Sequence, residues 1–180
     1  MKHSDITVIK RGVMGVLIPY GSEIELLPGT EVLVTQALGG SFTINVNGNL
    51  VRIEGKDADA IGREIVKPPE FKATGEEVSE ESIWAQLRTC YDPEIPVNIA
   101  DLGLIYEIVK TKQKDGSYHI GIQMTLTAPG CGMGPVISDE VEKKVLGIPN
   151  VSKVDVVLVF DPAWNSEMMT EEAKLELGLL

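Results

Sequence analysis

The chain has 180 residues, of which 43% are hydrophobic, with a net charge of -11 and a pI near 4.6. That length buries a real core in one large or two small domains, and the acidity repels rather than grips a nucleic-acid backbone. No stretch is apolar for long enough to cross a membrane and the first residues lack a signal-peptide pattern, so a soluble cytoplasmic protein is the expectation.

Residues 6 to 54 read as short strands cut by Pro19-Tyr20-Gly21-Ser22, Pro28-Gly29, Leu38-Gly39-Gly40-Ser41 and Asn47-Gly48. Asn-Gly tolerates the positive φ angles of a type I′ turn, so it predicts a hairpin whose apolar face is Ile44, Val46, Val51 and Ile53. The spacing predicts a small all-β domain over residues 1–67, a barrel or curled sheet. It ends in a short helix capped by Asp57 and carrying Ile61 and Ile65. Residues 68–78, polar, acidic and proline-bearing, read as a linker.

A second domain is expected over residues 79–160. Ser79 is a plausible N-cap for a helix with Ile83, Trp84, Leu87 and Arg88 at helical spacing, closed by Asp92-Pro93. Ile105 to Lys112 and Tyr118 to Thr127 read as a hairpin across Asp115-Gly116. Tyr118, Ile120, Ile122, Met124 and Leu126 share one strand face, and His119, Gly121, Gln123, Thr125 and Thr127 the other. A helix follows from Pro135 with Ile137, Val141 and Val145 inward and Gly147 at its end. Val154 to Phe160 then reads as a strand covered on both faces and parallel to the one before the helix. The tail, residues 161–180, is expected to be partly helical from Thr170, with Trp164, Met168 and Met169 placed to roof the preceding site or dock on the first domain. The fold class is thus α+β: a small β domain, then an αββαβ domain with a mixed sheet.

The chemistry concentrates at Cys131, between Gly130 and Gly132, where a strand gives way to a helix. Such junctions expose a side chain at a sheet end, and the free N–H groups of a helix start favour a thiolate. Thr127 is placed to donate a hydrogen bond to that thiolate or to an anion, against the plainer role of a strand-end threonine. Asp92, Glu94 and Asp101 lie in the loop before the hairpin, as turn formers or as a lining of the same pocket. Cys90, at the end of the first helix, is expected to be packed.

A cysteine hydrolase needs a histidine base in reach, yet His119 lies about 26 Å from Thr127 along an extended strand. A cysteine enzyme would have to borrow its base from another subunit. The glycine run lacks the ending of a phosphate loop and the spacing of a dinucleotide fingerprint. Iron suits an exposed thiolate, but a permanent iron–sulfur cluster needs about four ligands where one exposed cysteine supplies one. Transient holding, shared with a second subunit in a homodimer, a client or a small thiol, is what the ligand count allows.

Tyr91-Asp92-Pro93-Glu94-Ile95-Pro96-Val97-Asn98-Ile99-Ala100-Asp101-Leu102-Gly103-Leu104-Ile105-Tyr106 and Met124-Thr125-Leu126-Thr127-Ala128-Pro129-Gly130-Cys131 make residues 79–160 resemble the PaaD/SufT-type family, linked to iron–sulfur protein maturation. The ending Phe160-Asp161-Pro162-Ala163-Trp164 extends that likeness. The resemblance implies an αββαβ domain with its site at Cys131, supported by Thr127, Gly130, Gly132, Asp92, Glu94 and Asp101. It implies an auxiliary factor, not an enzyme, that delivers clusters to apo-proteins, partnered by the assembly machinery and its clients, with no tightly bound cofactor. In many relatives a proline or another small residue follows the cysteine, so Gly132 is expected to leave that edge open. The alternative is an adaptor that docks machinery and clients through the glycine turn and Trp164, Met168 and Met169, and binds no metal.

Overall fold

The computed structural model describes residues 5–67 and 76–180. The described residues divide between two compact units. The first takes the residues up to Lys67 together with Pro93–Pro96 and Cys131–Met133, and the second takes the rest. Two short segments that the sequence places in the later domain therefore group with the earlier one. The first eight residues of the expected linker lie outside the described residues; its last, Val78, is buried.

In the first unit, alternating apolar residues build β1 (Asp5–Val8), β2 (Val13–Ile18), β3 (Glu23–Leu26), β4 (Glu31–Leu38), β5 (Ser41–Val46) and β6 (Asn49–Glu54). They form one six-stranded antiparallel sheet in the order β1-β4-β5-β6-β2-β3. The sheet is open: β1 and β3 are its two ends, so the barrel expectation is not met. Asn47 and Gly48 take φ of 51° and 89° between the paired Val46 and Asn49, the turn that Asn-Gly predicts. Ile44, Val46, Val51 and Ile53 are all buried, in a core shared with Ile9, Val13 and Ile61.

The short helix after β6 is a 3₁₀ helix, Gly55–Ile61, and it corrects the expected one. Its N-cap is Glu54 rather than Asp57, and Gly62 in the left-handed region ends it before Ile65, which stays exposed. Asp57 sits in the first turn and, with Asp59, takes the Arg11 guanidinium at 2.9 Å and 2.6 Å.

The second unit runs α1 (Glu80–Leu87), β7 (Ile105–Lys112), β8 (Tyr118–Met124), α2 (Gly134–Leu146), β9 (Val151–Leu158) and α3 (Glu171–Glu176). Ser79 caps α1 by accepting the Ser82 N–H at 3.1 Å, and the helix ends at Leu87, well short of Asp92-Pro93. Cys90 is fully buried, as expected of a packed thiol. The sheet order is β7-β8-β9, with β7 antiparallel and β9 parallel to the central β8. Tyr118, Ile120, Ile122 and Met124 are buried on one face of β8, and Ile137, Val141 and Val145 of α2 are buried with them.

Two strand expectations need correction. β8 stops at Met124, and Thr125, expected on the outer face, is 1% exposed. Its N–H donates to the Leu104 carbonyl at 2.8 Å, one step beyond the Ile105–Met124 pair, so pairing with the β7 side runs on past the end of the strand. β9 is not covered on both faces: it is an edge strand, the helix packed on it among the described residues is α2, and Val157 is 54% exposed. A continuous apolar run reads as a doubly covered strand only when helices lie on both sides of the sheet.

The turn into β9 is held by Asn150, at φ 70°, whose amide donates to the Glu76 carbonyl at 2.9 Å and the Gly116 carbonyl at 3.0 Å. Asparagine tolerates this backbone region, and its amide gives each of the two carbonyls a donor. Asn150→Ala is expected to cost about 1–3 kcal/mol, read as a lower denaturation midpoint at unchanged slope.

Candidate functional site

The segment bearing Cys131 spans residues 125–133, between β8 and α2. Leu126 near its start and Met133 at its end are buried, while Ala128, Pro129 and Gly130 between them stand exposed. Gly130 has φ 77° and open space where a Cβ would stand, so it serves the backbone turn rather than a close approach. Gly134, the first residue of α2, is a glycine for the opposite reason. A Cβ there would lie 2.9 Å from Leu126 Cδ1 and 3.1 Å from Leu158 Cδ1, so the helix start is pressed onto the ends of β8 and β9.

Cys131 is partly exposed, three residues before α2 begins, and so precedes the helix's first turn. Gly132 is also part-buried and does not leave an open edge. Within the first unit a Cβ on Gly132 would collide with the Tyr20 carbonyl, which requires glycine there on grounds of space. The absent side chain admits a neighbouring backbone instead of a ligand.

The supporting residues are distributed as follows. Glu94, Cys131 and Gly132 belong to the first unit, and Asp92, Asp101, Thr127 and Gly130 to the second. Thr127 is half-buried and Glu94 exposed. Asp101 is engaged in its own loop: its carboxylate accepts from Asn98 Nδ2 at 2.7 Å and its N–H donates to Asn98 Oδ1 at 2.9 Å. Arg88 stands 4.0 Å from the same carboxylate. Asp101 also lines a cavity of about 380 Å³ with Glu81, Trp84, Arg88, Ala100 and Thr170. Among the described residues no group of three or more His, Cys, Asp or Glu side chains could hold a metal ion.

His119 faces the outer side of the sheet, where Nε2 lies 2.6 Å from Asp155 Oδ2. Lys153, at 3.1 Å, and His119 hold the Asp155 carboxyl below the usual carboxylate range. The histidine is thus engaged in a cross-strand hydrogen bond.

The tail belongs to the second unit. Its contacts are with the second unit's own 101–106 segment: Trp164 Nε1 donates to the Leu102 carbonyl at 2.8 Å, and the Thr170 N–H to the Asp101 carbonyl at 2.9 Å. Tyr106 Oη donates to the Pro162 carbonyl at 2.8 Å and lies 3.6 Å from Met168 Sδ. Thr170 caps α3 by accepting the Ala173 N–H at 3.2 Å, as its position before two glutamates predicts.

Thr125 is the residue that periodicity misplaces. Its Oγ1 is buried with no hydrogen-bond partner among the described residues, a condition that costs about 1–3 kcal/mol in a folded protein. Its burial has no signature in the alternation of residue types, which assigns it to the outer face.

Residues 80–156, which include Cys131, match the iron-sulfur cluster assembly protein family. A protein of Porphyromonas gingivalis named Fe-S protein maturation auxiliary factor is 49% identical over 102 residues, covering 57% of this chain and 93% of its own length. Fe-S protein maturation auxiliary factor YitW of Bacillus subtilis is 39% identical over 104 residues, covering 58% of this chain and 98% of its own. A crystal structure of a domain of unknown function, DUF59, from Bacillus anthracis covers 56% of this chain and 92% of its own, at 34% identity and a TM-score of 0.49. On the extent and identity of these sequence matches, the chain belongs to the iron-sulfur cluster assembly protein family.

Proposed function

We propose that this chain is an auxiliary factor that holds iron or an iron–sulfur cluster transiently on Cys131 and hands it to apo-proteins, without turning over a metabolite. The observation that carries the reading is the contrast between the two thiols: Cys90 is fully buried, whereas Cys131 is partly exposed in a glycine turn inside the family match. The cluster is cargo. One thiolate supplies one of about four ligands, so the others come from a client, an assembly protein, a second copy or a small thiol. Incomplete ligation suits a carrier, because a site that saturated the metal would not release it. Thr127 and the carboxylates of Asp92, Glu94 and Asp101 support the site, the acidic surface and the first unit recruit partners, and the place of action is the reducing cytoplasm.

Complementation tests the reading. In a strain lacking its own factor, the wild-type chain is expected to restore iron–sulfur enzyme activity, and Cys131→Ser to leave it near the level of the empty vector at equal protein abundance. Full restoration by Cys131→Ser would remove the thiol from the mechanism and leave an adaptor that docks proteins without touching metal.

A further inference from the structure

The outer edge of β9 is self-complementary, and we infer that it is a pairing surface for a second copy of this chain. β9 is an eight-residue strand at one end of its sheet, and end strands present a row of backbone groups able to template another strand. The Val159 N–H donates to the Met124 carbonyl at 2.8 Å, toward β8. Because backbone groups alternate in direction along a strand, those of Lys153, Asp155 and Val157 also face β8, and those of Val154, Val156 and Leu158 face outward.

Outward groups restrict how two copies of β9 meet. In an antiparallel pair about a two-fold axis, residues that face each other share parity, and the candidate centres are Val154, Asp155 and Val156. Centring on Asp155 sets two aspartates against each other. Centring on Val156 sets Asp155 opposite Val157. Centring on Val154 makes Val154 a hydrogen-bonded pair with its own copy and brings Lys153 opposite Asp155 twice, once on each side of the axis. Both side chains are available, with 62% and 51% of their surfaces exposed, and they already attract each other within one chain at 3.1 Å. Charge therefore selects a single register, centred on Val154 in the regular part of the strand that follows the register shift at Ser152.

The other end of the sheet does not share this property. On β7, Lys110 and Lys112 have one parity and Glu107 the other, so antiparallel self-pairing never sets glutamate opposite lysine. Lysines of this kind are what keep an edge from pairing. Joined through β9, two second units share a continuous sheet of six strands, within the usual size of a sheet.

Sedimentation velocity on the full chain tests the inference, over a dilution series from about 1 to about 200 µM. The wild type is expected to shift from monomer to dimer. Lys153→Glu, which sets glutamate against aspartate, is expected to weaken association by roughly tenfold or more, and Lys153→Glu with Asp155→Lys to restore it. Val156→Pro removes an outward N–H and leaves the β8 ladder intact, and is expected to abolish the dimer. Circular dichroism verifies folding, and the two charge variants carry the test if the proline variant unfolds. A wild type that stays monomeric throughout, or a dimer indifferent to Lys153→Glu, overturns the inference. The readout is assembly alone, so neither result depends on what Cys131 does.

Discussion

Under native conditions a thiol reagent is expected to modify Cys131 at least about 100-fold faster than Cys90. Cys131 is partly exposed in its turn, whereas Cys90 has no accessible surface and its Sγ lies 3.7 Å from the Gln86 carbonyl. A buried side chain reacts only from an opened state, and openings that expose core residues approach the global unfolding free energy, so the buried thiol is protected by orders of magnitude. Alkylation followed by peptide mass spectrometry at successive times separates the two rates. In denaturant the rates converge. Comparable native rates would mean that Cys131 is shielded in solution, and the proposed carrier role would lose the observation on which it stands.

Gly103→Val is expected to pry the tail from the second unit. Gly103 has φ 75°, a conformation a β-branched residue adopts only under strain, and its Cβ would collide with the Met168 carbonyl. The tail is held there by the bonds of Trp164 to Leu102, Tyr106 to Pro162 and Thr170 to Asp101. It also buries Met169 and Ala173. Strain and lost anchoring together are expected to cost about 2–4 kcal/mol and to open the tail to limited proteolysis. Gly130→Ala is the control. Gly130 has nearly the same φ, at 77°, with nothing near its Cβ position, so only the backbone penalty of about 1–2 kcal/mol applies and the tail stays protected. Equal losses for the two variants would show that φ, not the Met168 contact, governs Gly103.

What was legible in the residues alone was local. Asn47-Gly48 specifies its own turn through its tolerance of positive φ, Ser79 and Thr170 cap the helices they precede, and Ile137, Val141 and Val145 face inward because they recur every four residues. The fully buried Cys90 and the partly exposed Cys131 likewise follow from neighbours in sequence, an apolar helix for one and a glycine run for the other.

What only the tertiary structure decided depends on residues distant in sequence. The first sheet stays open because β1 and β3 are its ends, a pairing outcome that no single strand encodes. The apolar run of β9 has one face in solvent because β9 ends a three-stranded sheet that, among the described residues, α2 packs on, and Thr125 is buried on the face that alternation assigns to solvent. Gly132 reads as openness in sequence and is in fact occupied by the Tyr20 carbonyl. Backbone preference acts over a few residues and is written in their types, whereas coverage, edges and close approaches are properties of whichever surfaces the folded chain brings together.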